Sequence, residues 1–489
     1  MKPSCTVFWF KRDLRLEDNE ALAAAVREGE NLLLVYLLEP SLYEDPHYSE
    51  RHWDFVRQSL WELQQSLAAR GSRILCVREE ALPFFRQLQQ SYTLTAIYSH
   101  CETGIGRPYK RDLALAHSLR AAGIPWKEFQ ANGVVRGLKD RRGWANAWQG
   151  YMSKPLARVS WKEASLLPGQ AVRRLETRWN PMCLQVTSEG AFQVGGRKAA
   201  LDCMDSFFSG RIRNYGSHIS KPEASRGSCS RLSPYLAWGN LSIREVYQRL
   251  QRFKKEGRWR RQASAFGSRL RWHCHFIQKF EMEPRMEFEA INRAFISMNQ
   301  PLREDYIRAW ETGMTGYPLV DAAMRCLRET GYLNFRLRAL VVSFFCHHLF
   351  QPFTLASHWL ARQFLDFEPG IHYGQLQMQA GLTGTNTLRV YSPTKNAREH
   401  DPQAVFIKKW IPELRDLPAG LAIEPWELSP LEAGFYGFEY GRDYPRRIVE
   451  VQRTRETNLK VLFEIRESPF AKVESRRILQ KHTLPGRRG

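Results

Sequence analysis

The sequence lacks the cysteine patterns that indicate a metal cluster or a disulfide framework. Its nine cysteines include no C-x-x-C pair, their spacing is scattered, and none lies beyond Cys346. This distribution excludes a small disulfide-rich secreted protein and gives no support to a zinc or iron–sulfur site, so we expect no bound metal. Reduced, buried thiols are the expected state of these residues.

Long apolar runs are also absent. The most apolar stretch, residues 339–346, ends in two histidines and is far too short to cross a bilayer. The N-terminus has no charged start followed by an apolar segment, so no secretory signal peptide is indicated. We therefore predict a cytoplasmic protein without a membrane partner, and we expect a monomer.

The glycine-rich phosphate fingerprint of dinucleotide-binding proteins is missing as well. The first apolar segment, residues 7–10, runs directly into Lys-Arg-Asp-Leu-Arg, and Gly104-x-Gly106 is followed by Arg107 and Pro108. Neither place continues the pattern that would cradle a pyrophosphate at the start of a helix. The sequence therefore does not predict a conventional NAD site in its N-terminal region.

Acidic residues are few relative to basic ones. The chain has 72 Lys and Arg against 51 Asp and Glu, which gives a formal net charge of +21. Such a surplus favours a polyanionic partner, first nucleic acid and second an anionic membrane surface. A basic protein without such a partner would have the same composition, so charge alone does not decide between them.

The 489 residues exceed what one hydrophobic core normally organises, which predicts two domains. Over residues 1–132, short apolar segments alternate with helical periodicity, and this rhythm predicts an α/β domain with a doubly wound parallel sheet. Residues 133–200 have scattered Gly, Pro, Trp and Arg, so we expect an interdomain connector with little regular structure.

Helical signals dominate the rest of the chain. Ser233 precedes a proline, as at a helix start, and Ser242-x-x-Glu245 is a capping box. Similar start and stop signals recur, so we predict an all-α domain over residues 201–475. A short basic tail, residues 476–489, is expected to follow it.

Six segments resemble the photolyase/cryptochrome flavoprotein family, and they occur in the family's order over nearly the whole chain. They are FWFKRDLR (8–15), SRLSPYL (230–236), TGYPLVDAAMR (315–325), RLR (336–338), SP (392–393) and WIPEL (410–414). The resemblance is to a divergent photolyase-like branch. It implies an α/β domain followed by an all-α FAD-binding domain, with UV-damaged DNA as the partner. An antenna chromophore, either a folate or a deazaflavin, is left open.

The resemblance also implies a set of flavin contacts. The small residues before Ser233 would offer free N–H groups and hydroxyls to a pyrophosphate, although a plain capped helix has the same pattern. Arg338 and Asp366 match an ion pair beside the flavin ring that would favour the anionic reduced flavin, a role compatible with an ordinary buried salt bridge. The implied cofactor-binding residues are Tyr215, Ser230, Arg231, Leu232, Ser233, His273, Arg338, Asp366, Glu368 and His372.

A DNA-facing set follows from the same resemblance. Trp272 stands where the family has a tryptophan that stacks on a flipped-out lesion, and a core tryptophan is the alternative. Basic residues around it favour the DNA face, although a solvated basic helix would look similar. The implied catalytic residues are Trp272, Arg269, His372 and Met378. The implied DNA-binding residues are Arg260, Arg261, Arg271, Arg336 and Lys395.

Departures from the family are concentrated at the positions that would contact the flavin, bind the lesion or transfer electrons. His372 replaces the usual asparagine near flavin N5. Arg269 replaces a glutamate that contacts the lesion, and His273 replaces an arginine that faces the flavin. Met378 replaces the second aromatic wall of the lesion pocket. The three tryptophans of the photoreduction chain fall on Leu376, Phe353 and Gln300. Candidate substitutes for electron transfer are Trp310, Tyr332, Trp359, Tyr373 and Tyr391.

The function that these residues imply is light-dependent repair of cyclobutane pyrimidine dimers by electron transfer from photoexcited reduced FAD, the reaction of a deoxyribodipyrimidine photolyase. A cryptochrome-like blue-light receptor is the main alternative, because the tryptophan chain is altered. Repair of six-four photoproducts is a variant that would need an active-site histidine, but His273, His275 and His372 are not in a diagnostic context. A flavoprotein or nucleic-acid binder without catalysis is the fourth interpretation.

Overall fold

The computed structural model describes residues 2–186 and 191–483. Its N-terminal domain is built on a six-stranded sheet in the order β5-β4-β1-β2-β3-β6. The first five strands pair in parallel, and β6 pairs antiparallel with the end of β3. The strands are β1 (Ser4–Phe10), β2 (Leu33–Leu37), β3 (Ile74–Arg78), β4 (Thr93–His100), β5 (Trp126–Phe129) and β6 (Asn180–Pro181). The predicted doubly wound α/β domain is confirmed.

The central strand β1 is buried on both faces, which explains its unbroken apolar sequence. Val7 and Trp9 pack with Phe85 on one face of the sheet. Phe8, from the alternate position, packs with Phe55 on the other face. The helices that cover these faces are α1 (Glu20–Glu28), α3 (Glu50–Ala68), α4 (Ala81–Ser91) and α5 (Gly106–Ala121), and a short helix, α2 (Pro40–Tyr43), follows β2.

The connector holds more regular structure than its sequence pattern indicates. It contains α6 (Trp144–Ser153) and α7 (Gly169–Glu176), and β6 extends the sheet. Only Val172 and Leu175 of α7 are buried, and β6 is two residues long. Helix α6 has buried Trp144, Trp148, Tyr151 and Met152 at helical spacing, whereas α7 and β6 have too few buried positions to stand out from the scattered Gly, Pro and Arg around them.

The remainder of the chain is helical, as predicted. Its helices are α8 (Arg197–Ser209), α9 (Tyr215–His218), α10 (Ala224–Ser228), α11 (Ser233–Ala237), α12 (Ile243–Lys255), α13 (Arg260–Met282), α14 (Glu304–Thr312), α15 (Pro318–Thr330), α16 (Phe335–Ser343), α17 (Phe353–Gln363), α18 (Pro369–Gln379), α19 (Pro393–His400), α20 (Val405–Trp410), α21 (Ala419–Ile423), α22 (Pro430–Tyr436), α23 (Val451–Glu467) and α24 (Pro469–His482). Short 3-10 turns lie at Arg211–Asn214, Pro284–Glu287, Arg293–Phe295, Pro412–Leu414 and Pro425–Glu427, and a π-helical turn lies at Phe344–His348.

Helices α13 and α18 lie against each other at two glycines. A Cβ atom at Gly370 would stand 2.5 Å from Ile277 Cα, and one at Gly374 would stand 2.9 Å from the Phe276 ring. Glycine is therefore required at Gly370 for the backbones to approach this closely. The close approach fixes the positions of side chains on the two helices relative to each other.

The two domains share a hydrophobic core and several polar contacts. One hydrophobic core runs from Phe10 of the sheet to Phe207 and Phe266 of the helical domain. Arg12, just after β1, donates to the carbonyls of Ala237 and Phe367, and its guanidinium lies 4.8 Å from the ring centre of Trp238. The end of β1 is therefore part of the support for the helical domain.

The predicted basic tail begins inside α24, in which Ile478 and His482 are buried. Its last residues, 484–489, lie outside the described residues. Across the helices of the described ranges, none has the length and apolarity needed to cross a membrane.

Candidate functional site

A cavity of about 570 Å³ lies between α16, α17 and α18, and we name it the ring cavity. Its apolar walls are Phe335, Ala339, Val342, Leu360, Phe364, Phe367, Ile371 and Leu376. Its polar lining consists of Arg338, Asp366, Glu368, His372, Gln375 and Gln379. Mostly apolar walls with a few placed polar groups are typical of a cofactor site.

The ion pair of Arg338 and Asp366 is the main electrostatic feature of the ring cavity. Arg338 Nη2 lies 2.9 Å and 2.8 Å from the two carboxylate oxygens of Asp366. Arg338 Nε donates to the Leu333 carbonyl at 2.9 Å, and its guanidinium lies 3.9 Å from the ring centre of Phe364. These contacts fix the plane of the guanidinium, which therefore presents a directed positive charge to the cavity.

His372 lines the same cavity in its neutral form. Its Nε2 lies 3.0 Å from the Ser357 carbonyl oxygen, which can only accept, so Nε2 carries the proton and Nδ1 is an acceptor. Burial lowers the pKa of His372 to about 3. At neutral pH this side chain therefore adds no positive charge beside Arg338.

A second hollow, which is largely open to solvent, is lined by Gln193, Cys203, Arg211, Arg226, Gly227 and Arg231, and we name it the arginine cavity. Arg231 has a left-handed backbone, with φ 59°, a conformation that a non-glycine residue adopts at a cost and that is common at ligand sites. Gln193 holds it by accepting from Arg231 Nε at 3.0 Å and donating to its carbonyl at 2.9 Å. Among the described residues, three guanidinium groups and no carboxylate line this cavity, so it suits an anionic ligand.

Tyr332 joins the two cavities. Its ring centre lies 3.6 Å from the guanidinium of Arg231 and 5.9 Å from that of Arg338. In the ring cavity, the buried oxygens Gln375 Oε1 and Glu368 Oε1 have no hydrogen-bond partner within the described ranges. Unpaired buried acceptors are costly unless a ligand donates to them. The pair of cavities therefore fits a molecule with a flat polar ring at one end and phosphate groups at the other.

The exposed aromatic side of the site lies at the mouth of the ring cavity. Trp272, on α13, is 42% exposed, and the guanidinium of Arg269 lies 4.4 Å from its ring centre. The same guanidinium lies 5.4 Å from the ring centre of Phe335, which lines the cavity. A large exposed aromatic next to a cation is a platform on which a nucleobase can stack.

The sequence matches two family models, one for each domain. Residues 6–139 match the model described as DNA photolyase, and residues 266–464 match the FAD binding domain of DNA photolyase. The chain belongs to the photolyase/cryptochrome family. FAD is its cofactor. The arginine cavity is positively charged and the ring cavity is mostly apolar, and these properties are compatible with the pyrophosphate and the ring of FAD.

Relatives of both functional kinds are equally similar to this family member. It is 27% identical to "Cryptochrome DASH" of Synechocystis sp., over 94% of this chain and 98% of the relative. It is also 27% identical to "Deoxyribodipyrimidine photo-lyase" of Vibrio cholerae, over 93% and 98%. The crystal structure of a Synechocystis cryptochrome superposes with a TM-score of 0.84 at 24% identity, covering 94% of this chain and 99% of that one. A class III photolyase from Agrobacterium tumefaciens gives a TM-score of 0.82 at 24% identity, covering 96% and 99%.

The expected flavin contacts divide into two groups in this family member. Arg231 lines the arginine cavity, and Arg338, Asp366, Glu368 and His372 line the ring cavity. The others do not appear among the lining residues of either cavity in the described part of the chain: Tyr215, Ser230, Leu232, Ser233 and His273. Ser230 is next to the arginine cavity, since its carbonyl accepts from Arg211 at 3.3 Å.

Sequence reasoning did not identify several cavity residues. Arg211 and Arg226 are ordinary basic residues in sequence, and Gln193 lies in the connector, where no pattern indicates a ligand contact. Phe335 stands next to the RLR segment that carries the family resemblance, whereas Gln375 stands next to Leu376, a position at which the chain departs from the family.

The predicted catalytic and DNA-binding residues lie on four helices, α13, α16, α18 and α19. Met378 is half-buried on α18, between the cavity residues Gln375 and Gln379. Of the basic residues, Arg260, Arg261 and Lys395 are exposed, whereas Arg271 and Arg336 are half-buried. Lys395 lies 3.8 Å from Glu399, which offsets part of its charge.

The expected electron-transfer residues are not arranged as one chain. Trp310 is buried and lies 5.4 Å from Trp359, measured between ring centres, and Trp359 precedes the cavity residue Leu360. Tyr373 lies 5.3 Å from the ring of His372, and Tyr391 lies beside Arg336 at 5.6 Å. Whether any of them carries an electron stays a prediction.

A third cavity, of about 580 Å³, lies at the carboxyl ends of β1 and β4, between the domains. Lys11, Asp13, His100 and Glu102 line it together with Glu368 of the helical domain. Ligands of open α/β sheets bind at this edge. An antenna chromophore in this cavity stays a prediction.

Proposed function

We propose that this protein is a light-dependent DNA photolyase that opens cyclobutane pyrimidine dimers. The observation that carries the proposal is the position of Arg269 between the exposed Trp272 and Phe335 of the ring cavity. It supports a path from the DNA surface into the flavin site. Relatives named deoxyribodipyrimidine photo-lyase, from Vibrio cholerae and other bacteria, give additional support.

The residues act as follows in this proposal. Reduced FAD, when bound, supplies the photoexcited electron donor for the reaction. Trp272 stacks on an extruded dimer, and Arg269 holds a phosphate or carbonyl oxygen beside it. Arg338 and Asp366 hold the ring-binding site in one orientation, while the apolar walls exclude water from it. His372 stays neutral because of its low pKa.

The proposal is tested with purified protein carrying chemically reduced FAD and an oligonucleotide with one defined cyclobutane dimer. We expect loss of the dimer under blue light and none in darkness. Trp272→Ala should reduce repair at low DNA concentration, whereas Trp61→Ala, which removes a tryptophan 57% exposed on α3, should not. Intact dimers after illumination, with FAD bound and reduced, would refute the repair function.

A blue-light receptor is the second candidate, and one observation favours it. Leu376 lines the ring cavity at the position where the family carries the innermost tryptophan of its photoreduction chain, and Phe353 stands at the next. Photochemistry that differs from that of repair enzymes would fit a signalling role. No repair, together with light-dependent changes in protease sensitivity of the helical domain, would favour this candidate.

A further inference from the structure

Three buried side chains form a hydrogen-bonded chain next to the ring cavity. The phenol oxygen of Tyr373 lies 2.5 Å from His47 Nε2, and His47 Nδ1 lies 2.6 Å from Asp45 Oδ1. Tyr373 is 0% exposed, His47 3% and Asp45 5%. Asp45 and His47 follow α2 of the α/β domain, whereas Tyr373 lies in α18 of the helical domain. The three groups therefore meet only in the assembled two-domain protein.

One layer of side chains separates the hydrogen-bonded Tyr373, His47 and Asp45 from the ring cavity. Phe367, a cavity wall, stacks on the His47 ring with 5.4 Å between ring centres and 16° between planes. His372, another cavity residue, touches Tyr373 edge to face at 5.3 Å. The phenol is thus in indirect contact with the ring cavity through two aromatic rings.

The hydrogen-bond partners fix which nitrogen of His47 can take a proton. The carboxylate of Asp45 only accepts, so Nδ1 of His47 carries the hydrogen and Nε2 is free to accept from the Tyr373 hydroxyl. Although burial alone would raise the pKa of Asp45, hydrogen bonds from His47 lower it, so this carboxylate is ionised. An imidazole held by a carboxylate is a good proton acceptor.

We propose that Tyr373 is a one-electron donor to the photoexcited flavin and that His47 accepts its proton. One electron leaves the phenol for the photoexcited oxidised flavin, which is the oxidant of the step. The O–H bond breaks, and an N–H bond forms at His47 Nε2. The products are a neutral tyrosyl radical and an imidazolium paired with Asp45. This inference rests on the proposed function, which requires reduced FAD, and it names a residue that supplies an electron for the reduction of the oxidised flavin.

The buried surroundings of Tyr373 explain why its hydroxyl needs His47 as a proton acceptor. Burial raises the pKa of Tyr373 well above its usual range, so it is protonated in the resting protein. An oxidised phenol is strongly acidic, and in an apolar core it must pass its proton to a base to become a stable radical. The ring of His47 also contacts a surface residue, the exposed His358, edge to face with 4.5 Å between ring centres. Arg107 pairs with Asp45 at 2.9 Å and balances its charge.

The alternative is that the hydrogen bonds between Tyr373, His47 and Asp45 only hold the two domains together. The test compares the unmodified FAD-loaded protein with Tyr373→Phe, His47→Gln and Tyr48→Phe, all illuminated without DNA. Tyr48 is the matched control, since it is another buried tyrosine in contact with Phe367, at 5.6 Å. Electron paramagnetic resonance detects the tyrosyl radical, and transient absorption follows flavin photoreduction in H2O and D2O.

We expect a tyrosyl radical and slower photoreduction in D2O for the unmodified protein. Tyr373→Phe should abolish the radical and lower the photoreduction rate roughly tenfold or more, and His47→Gln should lower it similarly while removing the D2O effect. Tyr48→Phe should leave both unchanged. A normal photoreduction rate in Tyr373→Phe, or a radical that persists in it, would overturn the proposal.

Two further measurements keep the outcome interpretable. Nuclear magnetic resonance of 15N-histidine in the flavin-free protein should show His47 protonated at Nδ1, and Tyr373→Phe should shift its Nε2 resonance. A His47 that is protonated at Nε2 would contradict the proton-acceptor role even if a variant failed to retain its flavin. Repair by Tyr373→Phe with chemically reduced FAD should equal that of the unmodified protein. Absence of repair in both would refute the photolyase function and leave the radical measurement intact.

Discussion

Arg338 and Asp366 form a two-point ion pair, with 2.9 Å and 2.8 Å between Arg338 Nη2 and the carboxylate oxygens. The guanidinium is also held by a backbone carbonyl and the face of Phe364. This pair joins α16 to the segment just before α18. The orientation of the charge in the ring cavity is therefore set by three separate groups.

Replacing this arginine by lysine should weaken flavin binding even though the charge is kept. Arg338→Lys removes the planar fork and its stacking on Phe364, and we expect FAD to bind about tenfold more weakly. Fluorescence of released FAD on dilution measures this. Arg325→Lys, which alters an ion pair with Glu413 outside both cavities, is the control. Equal affinity in the two variants would contradict the role of the Arg338 geometry.

Trp272 should provide discrimination between damaged and undamaged DNA. Trp272→Ala removes a stacking surface worth about 1–3 kcal/mol per base, so the affinity for a dimer-bearing duplex should fall roughly 5- to 150-fold. Binding to undamaged DNA should change much less, because the protein holds it mainly through its phosphates. Fluorescence anisotropy with both duplexes measures the ratio. An equal loss on both would indicate that Trp272 touches DNA without reading the lesion.

The exposed arginines at the start of α13 should contribute the salt-dependent part of DNA binding. The double variant Arg260→Gln, Arg261→Gln should lower the affinity for any duplex, and the slope of log Kobs against log salt should become shallower by about 1 for each phosphate that the variant no longer neutralises. Arg173→Gln, Arg174→Gln removes another adjacent exposed pair, on α7, and should change neither quantity. Identical slopes for the two double variants would rule out α13 as the DNA face.

Stability should fall as the pH is lowered, and His347 should account for part of the loss. Burial lowers its pKa to about 4 in the folded state, against about 6.5 when unfolded. Between these values the unfolded chain binds more protons, so the free energy of unfolding decreases as pH falls through this window. At about pH 5 the loss from this imidazole is on the order of 1–2 kcal/mol.

Urea unfolding of His347→Gln at about pH 7.5 and pH 5 measures this contribution. In His347→Gln, the difference in free energy of unfolding between the two pH values should be smaller than in the unmodified protein by about 1–2 kcal/mol. His117→Gln, at an exposed position of α5, should leave the difference unchanged. A pH dependence that is the same in all three proteins would show that His347 titrates normally.

The sequence was sufficient for the architecture because periodicity is strong in long elements. Strands such as β2 are continuous apolar runs, and helices such as α15 carry clear start and stop residues. The connector was misjudged because α7 has only Val172 and Leu175 to signal burial. Family resemblance supplied Arg338 and Asp366, which the structure brings together.

The remaining site residues were not predictable from local pattern. Gln193, Arg211 and Arg226 lie on separate elements of one short stretch of the chain, and no residue pattern in that stretch indicates that they line one cavity. His47 precedes Tyr373 by more than half of the chain, and only the packing of the two domains makes them neighbours. A single sequence carries no information on such pairs.

The hydrogen bonds from Arg12 to the carbonyls of Ala237 and Phe367 bear on how this protein can be engineered. A chimera that takes about its first 130 residues from a relative would also exchange Arg12, which contacts the helical domain next to the ring cavity. Successful chimeras must therefore transplant Arg12 together with the loops that receive it. For the same reason, separately encoded halves of this chain should be produced in one cell, so that each can complete the other during synthesis.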